Sequence, residues 1–166
     1  MEDRTDEVLA LRQQLETLQR QREHEYYEKS PSYFQMVKRF HEVYGLDIND
    51  EPVDLEEAIT GGLWTLRRVL HEEEYNELND AMLNRDFRNL VPIADAICDL
   101  IYVLCGTAVS FGIPLDACFA EVQRSNMSKL GYDGKPIVRK DGKILKGPDF
   151  TPPDLAPIIY GGNHVH

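Results

Sequence analysis

The chain has 166 residues, the size of one domain with a short appendage. Its formal charge of −11, from 29 acidic against 18 basic side chains, argues against non-specific binding to nucleic acid or an anionic membrane, and no uninterrupted apolar run would span a bilayer. An acidic protein that handles a phosphate ester needs cations to do so, which hints at divalent metal. From the N-terminus, EDRTDE reads as neither a secretory nor a mitochondrial signal, and a cytoplasmic location is expected. Residues 1–30 read as a helical extension in which Val8, Leu11, Leu15 and Leu18 make a narrow apolar stripe, as in a short coiled-coil arm or a helix laid on its own or a neighbouring subunit. Ser30-Pro31-Ser32 stops that helix and starts another, which runs to about Tyr44 with Phe34, Val37, Phe40, Val43 and Tyr44 on one face and Gly45 as its stop.

LDINDEPVD is a loop, Glu56 to Ile59 suggests one helical turn, and Gly61-Gly62 interrupts. A long helix is expected from about Leu63 to Asn84, with Leu63, Leu66, Val69, Leu70, Leu78 and Met82 facing the core. After a turn at Arg85 to Asn89, a second long helix from about Val91 to Phe111 is so apolar that it should be buried nearly all round. Gly112-Ile113-Pro114 breaks it, and a fifth helix covers Leu115 to Leu130. Cys98, Cys105 and Cys118 lie in apolar helical sequence without metal-ligand spacing, as buried free thiols do. In the tail, Lys135 to Arg139 and Lys143 to Lys146 flank Asp141-Gly142, a hairpin signal. Its five cations, Lys135, Arg139, Lys140, Lys143 and Lys146, suit either a solvated hairpin or a basic flap that closes over polyphosphate. Pro148, Pro152 and Pro153 read as an extended strap with no further helix, and His164 and His166 as a frayed end. The division expected is an extension over 1–30, a catalytic helical body over 31–130 and a basic hairpin with a proline-rich tail over 131–166.

The chemistry concentrates in two acidic patches on the long helices. Glu73, Glu74 and Glu77 form E-E-x-x-E, and Asp95 and Asp99 stand four apart, each set at the spacing of one helix face. An isolated carboxylate in so apolar a helix would take up a proton, so the two aspartates must face something other than apolar side chains. Two antiparallel helices carrying these patterns can converge four or five carboxylates, which suits hard dications such as Mg²⁺ that keep waters and phosphate oxygens as further ligands. Glu72 to Glu77 alone would read as a solvated face; the aspartate pair within an apolar helix, and Asn126 and Lys129 three apart on the next helix, weigh against that. Phe34, Phe40 and Trp64 have faces on which a base can stack, although core packing accounts for them as readily, and Gln35, His41 and Asn49 are polar candidates of the same kind.

Taken together, HEEEYNEL, ADAICDLIYVLCG, FGI, EVQRSNMSKL and DGKPIVRKDGKILKGPDFTPPDL resemble the all-α nucleoside triphosphate pyrophosphohydrolases, the superfamily of MazG-like and phosphoribosyl-ATP pyrophosphohydrolase-like proteins, and most of all its MazG-like dUTP pyrophosphatase branch. The resemblance covers roughly Tyr33 to Leu155. It implies an all-α MazG-like bundle completed by dimerisation, as a homodimer or homotetramer. It also implies two or three Mg²⁺ or Mn²⁺ ions per site and attack of metal-bound water on the α-phosphorus of a nucleoside triphosphate, giving monophosphate and pyrophosphate. Glu74, Glu77 and Asp99 match the family's metal ligands, and Glu73 the acid that positions or deprotonates the water, itself counted with Asp95 among the ligand candidates. Asn126 and Lys129 match an N-x-x-K pair that touches phosphate, Lys129 also neutralising the leaving pyrophosphate; Lys143, Lys146, Phe34 and Trp64 complete the substrate-binding candidates. One position departs from the pattern: the second patch is usually E-x-x-D, Ala96 stands where that Glu would be, and Asp95 supplies an acid one residue earlier, which leaves the number of ions open.

A ferritin-like di-metal oxidase also gathers carboxylates in a helical bundle, but it calls for Glu-x-x-His, and no histidine lies three residues after any of these acids. A catalytically silent interaction module is the alternative to an enzyme. Within the enzyme class, dGTP is the alternative to dUTP.

Overall fold

The computed structural model describes Arg12, Gln14, Leu15, Leu18, 30–83 and 89–161. The expected N-terminal helix, the turn at 85–88 and both terminal histidines lie outside these residues, except that Arg12, Gln14, Leu15 and Leu18 are helical. The chain divides into two compact units, Met1–Ser32 and Tyr33–His166, and all that follows concerns the second. Its described elements are α1 (Tyr33–Tyr44), α2 (Leu55–Thr60), α3 (Leu63–Leu83), α4 (Val91–Phe111), α5 (Leu115–Met127) and α6 (Ala156–Tyr160). The fold is all-α, with β pairing among the described residues limited to two isolated bridges in the tail.

Local chemistry sets most of these boundaries. Gly45 ends α1 at φ 65°, and Asp54 caps α2 by accepting from the amides of Glu56 at 2.8 Å and Glu57 at 3.0 Å. Pro92 fits the first turn of α4, where an amide proton would have no helical acceptor. Gly112 closes α4 in the left-handed region at φ 68°, and a Cβ on it would stand 1.9 Å from the Glu51 carbonyl oxygen. That close approach lets the loop after α1 cover the end of α4. The Asn49 amide donates to the Val109 carbonyl at 3.1 Å, beside the Gly112 amide, and Val53 donates to Phe111 at 3.2 Å, so the loop takes up carbonyls at the end of the helix.

α4 is the hub, since α1 and α3 both pack on it while α2 packs on α3 and α6 on α5. By length and composition α4 would also suit a bilayer span, yet it carries Asp95 and Asp99 and has two helices docked on it. Burial concentrates in its C-terminal half, around Cys105, Ala108, Val109 and Phe111, with Val37 from α1 and Ala58 from α2. The expectation of burial nearly all round fails for Ile97, Tyr102 and Leu104, which are 40% to 48% exposed, and Cys98 is exposed as well. On α3, Leu66, Val69 and Met82 are exposed too. Among the described helices only α1 and α3 pack firmly on α4, and these faces lie outside that contact.

The fifth helix stops at Met127 rather than Leu130, because Leu130 pairs with Pro136 in an antiparallel bridge. A second bridge, Val138 with Ile144, closes the hairpin around Gly142 at φ 87°. The strap 151–154 is clamped to α5: Arg124 donates to Glu121 at 2.7 Å and Thr151 Oγ1 at 2.6 Å, and the Asp154 amide donates to Glu121 at 2.9 Å. Against expectation one further helix follows, α6, because Pro157 falls in its first turn, where proline costs no hydrogen bond.

Candidate metal centre

α3 and α4 run antiparallel across their contact, and this brings Glu74 and Glu77 of one to Asp99 of the other. Carboxylate oxygens of the three lie within 4.8 Å of one another. The spacing of three residues puts Glu74 and Glu77 on one face of α3, and Asp99 reaches them from the turn of α4 that follows the buried Ala96. Such crowding opposes ionisation. The Glu74 carboxyl is pushed above the usual carboxylate range, first by burial and then by the charges of Glu77, Asp99 and Glu73. An all-oxygen cluster of this kind is a hard donor set, and it fits a hard dication whose charge relieves the repulsion. The structure thus unites three of the five acids singled out as ligands. Glu73 lies beside the triad on α3 and contributes to its field, while Asp95, one turn before Asp99, is exposed and outside the cluster.

The remaining candidates are distributed over the molecule. Asn126 and Lys129 meet each other, Lys129 Nζ donating to Asn126 Oδ1 at 2.7 Å, but among firmly packed helix pairs α5 contacts only α6. In the tail, Lys146 Nζ stands 4.3 Å over the Phe150 ring, and Lys143 lies on the exposed hairpin. Trp64 packs edge-on against Phe111 with centroids 6.1 Å apart and stays half exposed, whereas Phe34 is half buried on α1. His41 and Asn49 serve the fold: His41 Nδ1 meets the Asp47 carbonyl at 2.8 Å, and Asn49 donates to the Ser110 carbonyl at 2.7 Å.

A polar seam continues from the triad along the same interface. His71 Nε2 meets Thr107 Oγ1 at 2.7 Å, and the buried Arg67 donates through Nε to Thr107 Oγ1 at 3.0 Å and through Nη2 to the Val103 carbonyl at 2.6 Å. Sequence reasoning missed these residues, because an arginine in LWTLRRVL reads as a solvated charge. The available signal was spacing: Arg67, His71 and Glu74 stand at i, i+4 and i+7, one stripe of α3.

The sequence profile of the phosphoribosyl-ATP pyrophosphohydrolase family matches residues 37–126, a span that holds the triad and both long helices. No curated protein matches the chain. Among solved structures, it is similar to a protein of Exiguobacterium sp. 255-15, provisionally named an NTP pyrophosphohydrolase, at 26% identity over 75% of this chain and 90% of that one, with a TM-score of 0.38.

Proposed function

The chain belongs to the phosphoribosyl-ATP pyrophosphohydrolase family, and from that premise we propose that it cleaves a nucleoside triphosphate to monophosphate and pyrophosphate with the help of Mg²⁺ or Mn²⁺. Membership makes it a hydrolase of phosphoric anhydrides. The observation that carries the finer reading is the convergence of Glu74, Glu77 and Asp99 inside the span that the family profile covers. dUTP is the first substrate candidate and dGTP the second.

Cleavage of a phosphoric anhydride needs positioning and charge stabilisation more than a covalent nucleophile. Glu74, Glu77 and Asp99 would hold the ions, with Asp95 the nearest further acid on α4 if more than one binds. Once bound, the ion supplies counter-charge to the polyphosphate and acidifies water near neutral pH. Glu73, beside the ligands, would orient the attacking water and take its proton. Asn126 and Lys129 would meet the phosphates, Lys129 offsetting the charge of departing pyrophosphate, and Lys143 and Lys146 would close over the same groups as a flap. Trp64, half exposed at the start of α3, and Phe34 would offer faces to the base. In this reading a second copy of the chain covers the open apolar faces of α3 and α4, giving a homodimer or a homotetramer.

The test is pyrophosphate release from a panel of ribo- and deoxynucleoside triphosphates, with Mg²⁺, with Mn²⁺ and with chelator, for wild type and Glu74→Ala. The expected result is monophosphate plus pyrophosphate from one nucleotide, only with metal, and a loss on the order of 10²-fold or more in the variant. An intact panel, or a Glu74→Ala protein as fast as wild type, would move the interaction-module reading to the front.

A further inference from the structure

We propose that Arg67, acting through Thr107 and the Val103 carbonyl, is a positioning residue that fixes the register of α3 on α4 so that Glu74 and Glu77 meet Asp99. This rests on the metal-centre reading above and adds to it the device that assembles the ligands.

On α3 the one buried residue is Arg67, at 8% exposure, while most of the apolar side chains that should have docked the helix are exposed or half buried. Apolar contact is non-directional and lets one helix slide on another, whereas hydrogen bonds fix atoms against atoms. Here the bonds form a closed set. Thr107 Oγ1 donates to the Val103 carbonyl at 3.0 Å, and with its proton so placed it accepts from Arg67 Nε and from His71 Nε2. Arg67 Nη2 shares the Val103 carbonyl, so the guanidinium is tied to two successive turns of α4. Gly106 makes room for it, since a Cβ there would stand 2.4 Å from Arg67 Nη2.

The energetics favour register over stability as the role. Burial disfavours the charged guanidinium and lowers its pKa, partly offset by Asp47, and an apolar pair of the same size would dock the helices at no such cost. The acid end supplies the need. Three like charges within 4.8 Å push α3 away from α4, and a slip of one residue, about 1.5 Å along the axis and 100° around it, would take both glutamates off Asp99. Arg67 stands seven residues before Glu74, roughly 10 Å along α3, close enough for its bonds to hold that end in place.

The experiment measures Mn²⁺ binding without nucleotide, by the electron paramagnetic resonance signal of the free ion, beside far-ultraviolet circular dichroism and steady-state kinetics. The proteins are wild type, the ligand variant Glu77→Gln, and Arg67→Met, Thr107→Val and their double variant. We expect wild type to bind, Glu77→Gln to bind far more weakly, and both seam variants to keep their helicity but bind Mn²⁺ about 10–100-fold more weakly. Their kcat should recover at saturating Mn²⁺, where the ion itself draws the ligands together, and the double variant should be no worse than Arg67→Met alone. Should Arg67→Met lose helicity, Thr107→Val decides, since it removes one hydroxyl without changing volume. Wild-type Mn²⁺ binding in Thr107→Val or in a folded Arg67→Met overturns the proposal, as does a raised nucleotide KM with unchanged Mn²⁺ binding, which would make Arg67 a substrate contact. A wild type that binds no Mn²⁺ overturns the metal-centre reading itself, and the positioning role with it.

Discussion

Glu74 and Glu121 show how opposite environments act on the same side chain. Glu74 shares a small volume with like charges and is pushed up; Glu121 accepts from Arg124 and from the Asp154 amide and is held down to about 2. The Glu121 case makes a prediction whose sign is fixed. Its folded pKa lies below the unfolded value, so the clamp's contribution is present above the ordinary carboxylate range and is lost as pH falls through the folded pKa. Hydrogen-exchange protection of the Asp154 amide, corrected for intrinsic exchange, should therefore drop as pH goes from 4.5 towards 2, the window between the ordinary and the folded pKa. Glu121→Gln should show weak protection throughout and no such step. Protection that is flat with pH in wild type would refute the clamp.

Among the elements, α4 depends most on a single residue at its end. Gly45 and Gly112 both adopt positive φ, at 65° and 68°, but the space around them differs: nothing lies within 4 Å of a Cβ on Gly45, whereas Gly112 would meet Glu51. Gly45→Ala should cost about 1–2 kcal/mol in urea unfolding, the expense of left-handed backbone for an L-residue. Gly112→Ala should cost clearly more, because the loop over the end of α4 must also move and release the bonds of Asn49 and Val53. Equal losses in the two variants would show that the close approach carries no energy of its own.

At the scale of the whole molecule, the buried core among the described residues is small and gathers at one end of α4, while Ile97 and Leu104, seven residues apart on one face, are exposed. Exposed apolar surface of this kind suits cover by a second copy, as proposed above. Wild type should sediment as a dimer or tetramer, and Leu104→Asp, on the exposed face of α4 and outside the acid cluster, should shift it towards monomer and reduce hydrolysis together. A wild type that sediments as a monomer at micromolar concentration would leave the open face without a partner. Among the described helices α5 packs firmly only on α6, so Asn126 and Lys129, which bond to each other at its end, lie away from the main helix contacts.

What the sequence determined by itself is local. Gly45, Asp54, Gly112 and Pro114 punctuate the helices because caps and φ limits act over a few residues, and both long helices were legible to within a residue where described. The two acidic patches, Glu73, Glu74 and Glu77 on one helix and Asp95 and Asp99 on the other, were legible for the same reason, since spacings of three and four place side chains on one face without reference to the rest of the fold. Only the tertiary structure decided which acids meet. Asp95 and Asp99 share a face of α4, yet only Asp99 lies opposite Glu74 and Glu77, because the relative slide of two helices is a property of their contact and not of either sequence. It likewise decided that α3 buries an arginine where an apolar stripe was expected, and that α4 is half open. Burial depends on what lies opposite a face, and for much of α3 and α4 that is none of the other described helices.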